Sequence, residues 1–150
     1  MKLYTHIAGH IPQFNQMLDA IRLDTTPVLA VGLADIHKTH FIYAAAQNLN
    51  EPVLVLCDDE AAARRMSEDM NIMHGGAEPF SYVYPARDFT FRQVETVSKE
   101  YEQIRIGILS RILSGKCPVC FCAVDALLQH TIPPEELKRR TFTITTDGHY

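Results

Sequence analysis

Glu51-Pro52-Val53-Leu54-Val55-Leu56-Cys57-Asp58-Asp59-Glu60-Ala61-Ala62-Ala63-Arg64 is the stretch that decides the fold class. Pro52 stops what precedes it, and the apolar run Val53 to Cys57 follows without a polar break. Continuous apolarity predicts a strand buried on both faces, the environment of a parallel sheet covered by helices. Asp58 stands where an N-cap belongs, and Asp59 and Glu60 place negative charge in the first turn of the next helix. That helix directs Ala62, Met66, Met70 and Met73 inward and ends at Gly75-Gly76, where glycine can take the left-handed conformation.

The alternation continues in both directions. Upstream, Phe14, Met17, Leu18 and Ile21 sit at helical spacing over Pro12 to Leu23, with proline in the first turn. Thr25-Thr26-Pro27 breaks that helix, and Val28-Leu29-Ala30-Val31 reads as a short apolar strand. A helix from about Lys38 to Leu49 then presents Phe41, Ile42, Ala45, Ala46 and Leu49 to the core.

Downstream, Tyr82-Val83-Tyr84 reads as a third strand. Thr90 to Gln93 has capping-box spacing, with Phe89 and Val94 placed as a hydrophobic staple. A long helix follows, its stripe formed by Val94, Val97, Tyr101, Ile104, Ile108 and Ile112, and Gly115 lies beyond its end. Pro118 to Val124 reads as a fourth strand and Asp125 to His130 as a short helix. Pro133-Pro134-Glu135-Glu136-Leu137 opens another helical turn, and Thr141 to Thr146 alternates as a strand. The class is α/β, with a mainly parallel sheet flanked by helices.

Composition narrows the function. The 150 residues carry 14 Lys and Arg against 18 Asp and Glu, a formal net charge of −4, with 47% hydrophobic and 21% charged residues. That is one folded domain; it argues against both disorder and a nucleic-acid binder working through bulk charge. No apolar run is long enough to span a membrane. Met1 to His6 lacks the apolar core of a secretory signal. Cys57, Cys117, Cys120 and Cys122 are too few and too uneven for a disulfide framework, so a reduced, cytoplasmic protein is expected.

Gly32-Leu33-Ala34-Asp35-Ile36-His37-Lys38-Thr39 lies between the first expected strand and its helix, where a phosphate-binding loop belongs. It departs from G-x-x-x-x-G-K-[ST] only at His37, which replaces the second glycine. Such a loop wraps phosphate by turning successive backbone N–H groups inward, and a Cβ with an imidazole obstructs that approach. Lys38 and Thr39 remain able to meet a phosphate and a magnesium ion. The loop therefore reads as degenerate, with no bound cofactor expected, and an active P-loop ATPase is the alternative.

Other candidates read as structural. Asp58, Asp59 and Glu60 imitate the strand-plus-acid pattern of a magnesium site but suit a helix N-terminus. Cys117-Pro118-Val119-Cys120, with Cys122, imitates a redox or zinc pair. Its cysteines lie at a strand rather than a helix N-terminus, and no second ligand pair stands out. His37 and His40 are a helix-spaced pair of histidines. Lys138-Arg139-Arg140 reads as a solvated basic face. No metal site or catalytic set is expected.

The order of these pieces resembles the N-terminal module of the bacterial transcription-repair coupling factors (Mfd), which is similar to the nucleotide-excision-repair protein UvrB. Pro52 to Arg64 looks like the family's strand and following helix. Tyr84-Pro85-Ala86-Arg87-Asp88-Phe89, with Ser98-Lys99-Glu100-Tyr101-Glu102, resembles the approach to its long helix. Val124-Asp125-Ala126-Leu127-Leu128-Gln129 and Pro133-Pro134 resemble the stretch after the next strand. Many members read Pro-Tyr-Asp-x-Phe-Ser-Pro where this chain has Pro85-Ala86-Arg87-Asp88-Phe89-Thr90-Phe91.

The resemblance implies a degenerate, helicase-like NTPase fold over residues 1–140, with 141–150 beginning a UvrA-binding subdomain. It implies a non-catalytic scaffold that helps recruit UvrA and holds the whole protein inactive through that protein's own C-terminal domains. In the whole protein, ATP and magnesium would serve motor domains that displace stalled RNA polymerase along DNA. The chain would then be a fragment, with RNA polymerase, DNA and the UvrA-contacting residues met elsewhere. A fragment of UvrB proper or of another helicase is the remaining alternative.

Overall fold

The computed structural model describes residues 3–86 and 100–142, with side chains from residue 6 onward. Its elements are α1 (Leu3–Gly9), α2 (Pro12–Arg22), α3 (Asp35–Leu49), β1 (Val53–Cys57), α4 (Glu60–His74), β2 (Ser81–Tyr84), α5 (Glu100–Leu113), β3 (Val119–Ala123), α6 (Val124–Leu127) and α7 (Pro134–Arg140). The sheet is parallel in the order β1-β3-β2, with Val55 and Val83 both level with Phe121. The α/β class is as expected. Parallel pairing demands a crossover after each strand, and α4 and α5 supply them.

The sheet is covered by helices on both faces. On one, Tyr43 and Ala46 of α3 and Ala63 and Met70 of α4 pack with Val119 and Phe121 of β3 and Val53 and Val55 of β1. On the other, Ile108 of α5 and Ala126 of α6 pack with Tyr84, Cys120 and Cys122. A satellite core of Ala8, Phe14, Leu18 and Ala44 joins α1 and α2 to the outer side of α3. Phe14 meets Phe41 edge-to-face, with ring centroids 5.3 Å apart.

Several expectations are corrected. Burial on both faces belongs to β3, all five residues of which are buried, whereas β1 is an edge strand with Leu54 and Leu56 each 55% exposed. An apolar run cannot say which strand will be central. Val28 to Val31 forms no strand; Leu29 is 86% and Val31 79% exposed in an extended segment. The α4 N-cap is Asp59, not Asp58, and it accepts from the Ala62 N–H at 2.6 Å.

The inner faces also shift in phase. In α4 the buried residues are Ala63, Ser67 and Met70, while Ala62 and Met66 are half-buried against the core. In α5 they are Arg105 and Ile108, leaving Tyr101, Ile104 and Ile112 exposed. Arg105 is buried because its guanidinium lies 4.1 Å over the Tyr84 ring and donates to the Pro85 carbonyl at 2.6 Å. α6 starts one residue earlier than expected and ends at Leu127. Thr141 and Phe142 are not in a strand. The expected cap and staple at 89–94, the helical turns through Val97, and residues 143–150 lie outside the described residues.

A polar lock fixes β2. Asn71 Oδ1 accepts from the Phe80 and Ser81 N–H groups, both at 2.9 Å, and Asn71 Nδ2 donates to the Ser81 carbonyl at 3.0 Å. The Ser67 and Ser81 hydroxyls meet beside it at 2.9 Å. Asn71→Ala strands two backbone donors at the strand entry. It should lower stability by about 2–4 kcal/mol in urea unfolding, and Asn71→Asp, which keeps the acceptor, should lower it less.

Candidate functional site

The degenerate loop is built by the start of α3. The helix begins at Asp35, ahead of the Lys-Thr pair, and the N–H groups of His37 and Lys38 both point back to the Ala34 carbonyl at 2.9 and 3.1 Å. Those donors are occupied by the first helical turn, where a phosphate cradle needs them free. Gly32 is left-handed at φ +82°, so the entry retains one glycine-dependent turn.

The side chains diverge. Lys38 Nζ binds Asp35 Oδ1 at 2.7 Å on the surface; that bond raises the lysine pKa and lowers the carboxyl's. Thr39 is buried, 1% exposed, and turned into the fold. His37 is exposed, and His40 lies half-buried against Phe41. Gly32, His37, Lys38 and Thr39 are thus gathered as the motif suggested, but their donors do not converge on one point. A nucleotide phosphate with magnesium does not fit this arrangement.

The acids after β1 are similarly engaged. Asp59 caps α4, and Glu60 binds Arg64 while its other oxygen accepts from the Ala86 N–H at 3.1 Å. Lys138, Arg139 and Arg140 pair with Glu135 and Glu136 along α7, a solvated charge ladder. Among the described residues no three His, Cys, Asp or Glu side chains group closely enough to hold a metal ion.

All four cysteines are free and buried. Cys122 Sγ faces the Val55 carbonyl at 3.8 Å and Cys57 Sγ faces Met66 Sδ at 3.9 Å, so these thiols fill the sheet-helix layers. Burial pushes the Cys57 and Cys122 thiols up. The hydrogen bond shared with Cys117, then burial, holds Cys120 firmly protonated.

The apolar packing leaves an open cavity at the sheet edge. A groove of about 730 Å³ opens beside β1, walled by Met17 and Ile21 of α2, Ala30 and Leu33, the α3 residues Phe41 and Ile42, and Val53 and Val55. Lys38, Asp58, Arg65 and Asp69 stand on its lining. No local pattern signals it, because the groove exists through packing of distant segments.

No protein-family model matches the chain. Over 136 residues, 91% of this chain, it is 19% identical to the transcription-repair-coupling factor of Bacillus subtilis (strain 168). The chain spans 11% of that relative's length. No solved structure matches it. The similarity fits a distant relationship to the transcription-repair coupling factors. Among the described residues no helix is long and apolar enough to cross a membrane.

The thiols yield a pH test. A thiol whose folded pKa is raised keeps its proton where the unfolded chain has lost it. Its stabilisation is therefore complete below the unfolded value, about 8.5, and fades as pH rises beyond it. The thermal midpoint should fall between pH 8 and pH 10, and Cys57→Ala should make that fall shallower.

Proposed function

We propose that the chain is a non-catalytic scaffold module of a transcription-repair coupling factor, derived from a helicase-like NTPase fold. The observation that carries the reading is the similarity running through 91% of the chain to a small part of one such factor. The start of α3 supports the non-catalytic half of the proposal. The His37 and Lys38 amides are occupied by Ala34, Lys38 is held by Asp35, and Thr39 is buried. Residues 1–140 act as the UvrB-like unit, and 141–150 lead toward a UvrA-binding subdomain. In the whole protein the module helps recruit UvrA and restrains the ATP-driven motor through its C-terminal domains. The motor then acts on DNA and stalled RNA polymerase, in the cytoplasm.

Two measurements test the two halves. Titration calorimetry with ATP and magnesium should give no binding in the low micromolar range. His37→Gly should not restore it, because the Ala34-bonded amides stay in the helix. A low-micromolar dissociation constant abolished by Lys38→Ala would establish the active P-loop reading instead. For the scaffold role, a chain continued past Tyr150 should capture UvrA where residues 1–150 alone do not; failure of the longer chain would remove the recruitment role.

A further inference from the structure

Alternation along β3 sorts its side chains between the two faces of the sheet. Val119 and Phe121 enter the core shared with α3 and α4, and Cys120 and Cys122 enter the core shared with α5 and α6. Continued upstream, the same alternation would send Cys117 to the Val119 face. It packs instead with Cys120 and Cys122, because the chain bends at Pro118 before the strand begins. Cys117 Sγ is folded back to 3.6 Å from the Val119 carbonyl oxygen, and the Cys117 and Cys120 thiols share a hydrogen bond. A C-x-x-C pair that reads from the sequence as structural is thus brought to one face and into direct contact.

The two sulfurs are not equivalent. Donation from the Cys120 thiol lowers the Cys117 pKa, burial opposes the shift, and the Arg111 guanidinium adds to it. The same bond, and then burial, keep Cys120 protonated. Cys117 therefore carries the thiolate character that reacts, and Cys120 is the adjacent thiol that resolves. Cys117 also follows the exposed Lys116 at the rim of its core, whereas Cys122 is fully enclosed.

We propose that Cys117 and Cys120 form a peroxide-oxidisable dithiol whose disulfide clamps the start of the sheet. The Cys117 sulfur attacks one peroxide oxygen and the O–O bond breaks. Hydroxide leaves, takes up a proton as water, and Cys117 becomes a sulfenic acid. The Cys120 sulfur then gives up its proton and attacks the Cys117 sulfur; the S–O bond breaks and a second water leaves. The dithiol loses two electrons, and hydrogen peroxide gains them. The closed ring contains Pro118 and Val119, which tie β3 to both its neighbours. The Pro118 carbonyl accepts from the Val53 N–H at 2.9 Å, and the Val119 N–H donates to the Phe80 carbonyl at 3.3 Å. The inference stands apart from the proposed role in repair.

The first test treats the unmodified, folded chain with a small excess of hydrogen peroxide at neutral pH, then counts free thiols by alkylation and intact mass. Two of the four free thiols should be lost, and dithiothreitol should restore both. Fragment spectra should place the bond between Cys117 and Cys120. Four surviving thiols, or a bond joining other cysteines or two copies, overturn the assignment. Single variants separate the roles. Cys120→Ala should stop at a sulfenic acid on Cys117 that dimedone traps, and Cys117→Ala should give neither adduct nor disulfide; a dimedone adduct on Cys120 there overturns the choice of nucleophile. Amide exchange reads the clamp in the unmodified chain. The Val53 and Val119 N–H groups should exchange at least about threefold more slowly after oxidation, and equal rates overturn the clamp.

Discussion

β3 is held on four sides. β1 and β2 bond to its two edges along the whole of their lengths, and its side chains are buried on both faces. A strand in that position cannot shift by one residue, because the slip would exchange Val119 and Phe121 with Cys120 and Cys122 between two differently shaped cores. Its register therefore fixes β1 and β2, and through their crossovers the places of α4 and α5. The extra bonds from Val53 N–H to the Pro118 carbonyl and from Val119 N–H to the Phe80 carbonyl extend the ladder at its entry.

Polar groups locate what the apolar layers only attract. Hydrophobic contact is non-directional, so it cannot by itself set the height of β2 against α4. Asn71 does so by reading three backbone groups of Phe80 and Ser81, and Arg105 does the same on the opposite face through Pro85 and Tyr84. Both side chains are held between a helix and the ends of β2.

The same economy of donors bears on chemistry. A loop that binds phosphate must leave backbone N–H groups unpaired until ligand arrives, whereas a helix closes them at once. In this chain α3 begins at Asp35, and Asp35 also neutralises Lys38. One early helical turn thus removes amides and ammonium together. The start of α3 is thereby committed to helix, with its first amides and its lysine engaged inside the chain.

Local pattern alone dictates the α/β class, β1 at Val53 to Cys57, the helices beginning at Pro12 and ending at Gly75, and the anomaly at His37. Each follows from neighbours a few residues apart, through period, cap or breaker. Position comes from long-range packing instead. Val53 to Cys57 is as apolar as a central strand, yet it lies at an edge, while the cysteine-rich Val119 to Ala123 takes the centre. Val28 to Val31 has strand composition without a strand partner, and the groove beside it is assembled from α2, α3, α4 and β1. Strand order, open edges and cavities depend on which distant segments meet, and a linear pattern holds no record of those meetings beyond the burial it leads one to expect.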